Sequence, residues 1–118
     1  MAGKSVRLVC GPQTCEQLCE ALRAYAHAAF PPGGSECAQA SRDSLLTLAQ
    51  RFAAEQATEG WIEVRTRQRA LLRSAVTTYF DQLTDLPEAM AVRRRERLLG
   101  LLRGEAVTDD APDSDPGA

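Results

Sequence analysis

From residue 15 the apolar positions fall into a helical rhythm. Cys15, Leu18, Leu22, Tyr25 and Ala29 recur at alternating spacings of three and four, with Cys19, Ala26 and Phe30 widening the stripe. That period lines one face of an α-helix over about 15–30. Pro31-Pro32-Gly33-Gly34 ends it, since proline cannot continue a helix and glycine supplies the turn. Ala38, Ser41, Leu45, Leu48 and Phe52 repeat the rhythm, giving a second helix that begins within 35–41 and closes near 57. Thr58-Glu59-Gly60 is the next break. The run WIEVRTRQRALLRSAVTTYFDQL then reads as one long third helix over 61–83. Asp85-Leu86-Pro87-Glu88 has the form of a helix start, with a capping acid, proline in the first turn and an acid after it. The fourth helix runs from there to about Leu102, with Gly104 as its stop.

The ends differ from this body. Residues 5–10, SVRLVC, alternate weakly, but a single strand with no partner is not stable alone, so the expectation is an extended arm over 1–13 packed on the helices. Thr14 and Gln17 have capping-box spacing at the start of the first helix. Residues 104–118 are rich in Asp, Pro, Gly and Ser and bury too little apolar surface to order themselves. The predicted architecture is therefore all-α: a small four-helix bundle or irregular helical domain over 14–103, with a disordered acidic tail over 104–118. At 118 residues one core suffices.

Charge sharpens the contrast. The chain totals −2, yet its last fifteen residues carry five acids and no base, so residues 1–103 hold a net +3. Thirteen of the fourteen basic residues are arginine. Arg65, Arg69 and Arg73 fall four apart on the predicted third helix as a basic stripe. Arg93, Arg94, Arg95 and Arg97 form a second cluster, RRRER, around the fourth. Such clusters can neutralise phosphates, but Glu96 interrupts the second and no aromatics interleave. A face that is solvated or meets an acidic partner is favoured.

The fourth helix also spreads Leu98, Leu99, Leu101 and Leu102 around most of its circumference, the pattern of a helix that is central or pairs with another chain. Trp61, the only tryptophan, is read as a core anchor ahead of an interface hot spot.

Catalytic signals are sparse. The cysteines follow C-x4-C-x3-C and then a gap of seventeen residues to Cys37, which matches neither zinc knuckles nor C-x-x-C redox motifs. They are expected to be free core thiols, with no metal and no cofactor. The single histidine, His27, lies two helical turns from Cys19, about 12 Å along the axis and too far for a dyad. No signal-peptide core and no run of about 18 apolar residues is present, so an intracellular protein, cytoplasmic or nuclear, is expected.

The residues thus favour a non-enzymatic adaptor or assembly subunit acting through its C-terminal helices, by contact with another protein or a second copy of itself. Its candidate contact residues are Trp61, Arg65, Arg69, Arg73, Arg93, Arg94, Arg95, Arg97, Leu99 and Leu102. The alternative is a nucleic-acid-associated factor using the two arginine clusters. No membrane role is expected.

Overall fold

The computed structural model describes residues 4–107. It is a mostly helical domain with a small antiparallel sheet. Strand β1 (Ser5–Val9) is followed by helices α1 (Pro12–Ala29) and α2 (Glu36–Glu59), then strand β2 (Trp61–Arg65) and a 3-10 turn (Thr66–Gln68). Helix α3 (Arg69–Thr78) runs into a π turn (Tyr79–Leu83), and α4 (Glu88–Leu102) completes the order. Among the described residues no helix is long and apolar enough to cross a membrane.

Two sequence expectations give way together at the sheet. The SVRLV arm is a strand, and the opening of the expected third helix is its partner. Both segments alternate, with Leu8, Ile62 and Val64 fully buried and Arg7, Glu63 and Arg65 turned outward. The register sets Leu8 against Ile62 and Val6 against Val64, so apolar pairs share the inner face. Gly60 separates α2 from β2 at φ +79°, a left-handed closure that favours glycine. It redirects the chain just where the helical period stops.

The α1–α2 hairpin supplies a large share of the core, from Cys15, Leu18, Cys19, Leu22 and Ala26 on one side and Leu45, Leu48, Ala49 and Phe52 on the other. Two thiols bond across the hairpin: Cys15 Sγ donates to the Phe52 carbonyl at 3.6 Å and Cys19 Sγ to that of Ala49 at 3.3 Å. Helix α1 begins earlier than expected, with Gly11 as N-cap and Pro12 in the first turn. Thr14 is consequently inside the helix and fully buried, and the expected Thr14–Gln17 capping box does not form. At the other end of the chain Asp85 does not cap α4, whose N-cap is Pro87 without a side-chain cap; in the turn before it Thr84 Oγ1 accepts the Leu86 N–H at 3.2 Å.

Helix α4 is anchored chiefly by its last turns. Leu98, Leu101 and Leu102 are buried, and the chain beyond it turns back. The Gly104 N–H reaches the Leu101 carbonyl at 2.9 Å and the Glu105 N–H that of Gly100 at 3.1 Å, a Schellman closure. The Val107 N–H then donates to the Val9 carbonyl at 3.1 Å, pairing Val107 in parallel beside Cys10. The first residues of the expected tail are thus tied to the outer edge of β1. The remainder of the expected disordered tail, 108–118, lies outside the described residues, as do 1–3 of the expected arm.

Candidate functional site

The π turn shapes one wall of a concavity against α4. A π turn inserts one extra residue, and the Thr84 N–H consequently bonds the Tyr79 carbonyl five residues back at 2.8 Å. Such turns recur at functional sites. Here it tucks Phe80 inward, 6% exposed, and lifts Leu83 to 38% exposure. Tyr79 and Phe80 meet edge-to-face at 4.9 Å, and burial pushes the Tyr79 phenol above its ordinary range.

Between this turn and α4 lies a groove of about 500 Å³. Phe80, Leu86 and Ala91 give it an apolar floor, Val92 stands at its rim at 42% exposure, and Asp81, Thr84, Glu88 and Arg95 supply polar edges. Residues 88, 91, 92 and 95 recur at helical spacing, so α4 presents them as one strip. Arg95 closes one side by pairing with Asp81 at 2.6 Å and Glu96 at 3.3 Å. The Asp81 hydrogen bond raises the Arg95 pKa further. Nothing in the lining is a nucleophile beside a base.

The sequence-selected residues do not converge there, Arg95 excepted. Arg65 is exposed on β2 rather than on a helix, so it shares no helical face with Arg69 and Arg73. Arg69 Nε donates to the Leu102 carbonyl at 2.8 Å. Arg73 is exposed on α3 beside a shallow depression with Ser74, Thr77 and Thr78. On α4, Arg97 donates to Thr14 Oγ1 at 3.0 Å, and Arg93 and Arg94 are half-buried and engaged. Leu99 is half-buried against the core. Leu102 is 1% exposed, which places it within this chain's own core rather than on a contact surface. Trp61 is only half-buried, its ring covered by the Arg7 guanidinium at 4.3 Å. It packs on the sheet's outer face, not in the core where the sequence put it.

The cysteines separate into a pair and two singles. Cys15 and Cys19 Sγ lie 4.0 Å apart beside a cleft of about 340 Å³ between α1 and α2. Cys10 is buried near β1 and Cys37 is exposed at the start of α2. Among the described residues no three Cys, His, Asp or Glu side chains gather as a metal site. The hydrogen bond with Cys15, reinforced by burial, pushes the Cys19 thiol far above its ordinary value. It therefore stays protonated and unreactive.

Sequence reasoning missed Phe80, Leu86, Ala91 and Val92. For Ala91 and Val92 the signal was the strip 88/91/92/95, which the neighbouring arginine run obscured; Phe80 and Leu86 are placed by the π turn and the segment after it, outside that strip. No known family matches this chain, and no curated protein or solved structure is similar to it at a significant level.

Proposed function

We propose that this chain is a non-catalytic helical adaptor or assembly subunit inside the cell, binding a protein partner through the groove between the π turn and α4. The occupant that suits it is an amphipathic helix of the partner, laying two or three apolar side chains on Phe80, Ala91 and Val92. The observation that carries this reading is the groove's lining, in which Phe80, Leu86, Ala91 and the exposed Val92 lie between the polar edges Asp81, Thr84, Glu88 and Arg95, a pattern that suits an amphipathic helix.

The nucleic-acid alternative is less favoured for a specific reason. Phosphate binding needs guanidinium groups turned to solvent, whereas Arg69, Arg95 and Arg97 hold intramolecular hydrogen bonds. Purification of the full chain from its native cells, followed by light scattering and mass spectrometry, tests the proposal. A second chain, or a second copy, recovered in fixed ratio supports it. A lone monomer that binds a generic duplex at low salt contradicts it.

A further inference from the structure

We propose that the groove between the π turn and α4 takes a cationic helix: its partner is another protein presenting an amphipathic helix with lysine or arginine beside its apolar strip. This inference rests on the groove being the docking site, as proposed above, and adds the charge of the occupant.

The charge is read from the rim. Asp81 and Glu88 line the groove. Asp85 sits between two further lining residues, Thr84 and Leu86, and Glu96 follows Arg95 along α4. Arg95 is the single base among the described lining residues, and it is bonded to Asp81 at 2.6 Å and to Glu96 at 3.3 Å. One guanidinium therefore stands against four carboxylates, which leaves the rim at a net −3. Residues 1–103 as a whole hold +3, so the negative rim is local and opposite in sign to the domain that carries it.

The excess is uneven along the groove. Asp81 and Glu96 share Arg95 at one end. Glu88 and Asp85, at the end where the chain enters α4, are exposed and form no ion pair among the described residues. Glu88 and Arg95 stand seven residues apart on one face of α4, about 10 Å by the helical rise, with Ala91 and Val92 between them. A docked helix covers that length with two apolar side chains one turn apart, about 5–6 Å, and its next turn outward falls beside Glu88. A lysine or arginine there meets two carboxylates and no competing base. Complementary charge of this kind speeds encounter and rejects acidic helices. Helices α3 and α4 of a second copy do not supply the occupant, because Leu72, Ala75 and Val76 of the one and Leu98 and Leu101 of the other are buried in their own core.

Titration of the ¹⁵N-labelled full chain with two synthetic amphipathic peptides tests this. Both are about fifteen residues long, near the length at which an isolated helix becomes marginal, and carry the same leucine strip. One has lysine at its polar positions and the other glutamate. At about 50 mM salt the lysine peptide should shift the Ala91 and Val92 amides and bind about tenfold tighter than the glutamate peptide, or more. The advantage should vanish at 0.5 M salt, where the screening length falls to about 4 Å. Asp85→Lys with Glu88→Lys should invert the preference, and the milder Asp85→Asn with Glu88→Gln should remove most of it. Equal affinity of both peptides at Ala91 and Val92 overturns the proposed charge while leaving the groove as a docking site. Lysine-peptide binding that neither variant alters also overturns it, because the attraction then comes from elsewhere on the chain. If neither peptide moves Ala91 and Val92, the docking reading falls as well.

Discussion

Arg69 and Leu102, two residues that the sequence marks as contact candidates, meet each other inside the molecule: Arg69 Nε donates to the Leu102 carbonyl at 2.8 Å. The bond joins the first turn of α3 to the last turn of α4. It satisfies a carbonyl that a helix end leaves open and sets a cation at the negative pole of that helix. Arg69→Ala should therefore cost about 1.5–3 kcal/mol, the range for a hydrogen bond to a charged group. Arg69→Lys should recover only part of this, since lysine lacks the fixed fork of donors. Urea unfolding measures both.

The contrast between Leu102 and Val92 separates folding from contact. Leu102→Asp places a carboxylate where the native side chain is 1% exposed and should unfold the domain, a loss of more than about 4 kcal/mol. Val92→Asp, at a 42% exposed position, should leave the circular dichroism spectrum unchanged and shift stability by less than about 0.5 kcal/mol.

These two leucine and valine positions also show what the residues alone reveal. The α1 stripe from Cys15 to Tyr25, the Pro-Gly turn and the burial of Leu45, Leu48 and Phe52 follow from local period and are found, whereas Ala29, placed on the same stripe, is exposed at the end of α1. The strand at Trp61–Arg65 is not legible as one, because its stability comes from pairing with Ser5–Val9, more than fifty residues away. A period of two over five residues also fits within a helical reading when arginines happen to fall four apart. Leu102, a contact candidate by sequence, is buried and Val92 is exposed for the same reason: which side of α4 is covered depends on the π turn and on the returning segment 104–107, which local period does not reveal.

The outer edge of β2 is closed by side chains rather than by a third strand. Glu55 Oε1 accepts the Glu63 N–H at 3.0 Å, Arg51 donates to the Glu63 carbonyl, and Arg51 and Glu55 pair with each other at 3.1 Å. An edge blunted this way cannot easily recruit another chain. Glu55→Ala should cost about 1 kcal/mol, more than an exposed helical ion pair alone supplies. Glu55→Gln, which keeps the acceptor, should restore most of it in thermal or urea unfolding.

The buried thiols set an alkaline limit. Cys19 has its pKa raised by the hydrogen bond with Cys15 and by burial, above an ordinary value of 9.0. The native state therefore keeps its proton where the unfolded chain releases it, so stability is full below about pH 9 and falls as pH rises further. Cys19→Ala should flatten that decline in unfolding curves taken between pH 8 and 10.5. In the native chain at pH 8 a maleimide should react with the exposed Cys37 alone, and with all four thiols in urea.

The most direct measurement of the docking groove is site-specific photo-crosslinking in the native cell. A photoreactive aromatic residue replaces Val92 in one variant, and in a second replaces Thr47 on the exposed face of α2. The account predicts a discrete protein adduct from position 92, either another chain or a second copy, and none from position 47. Absence of a protein adduct at 92, or the same adducts from both positions, would contradict it.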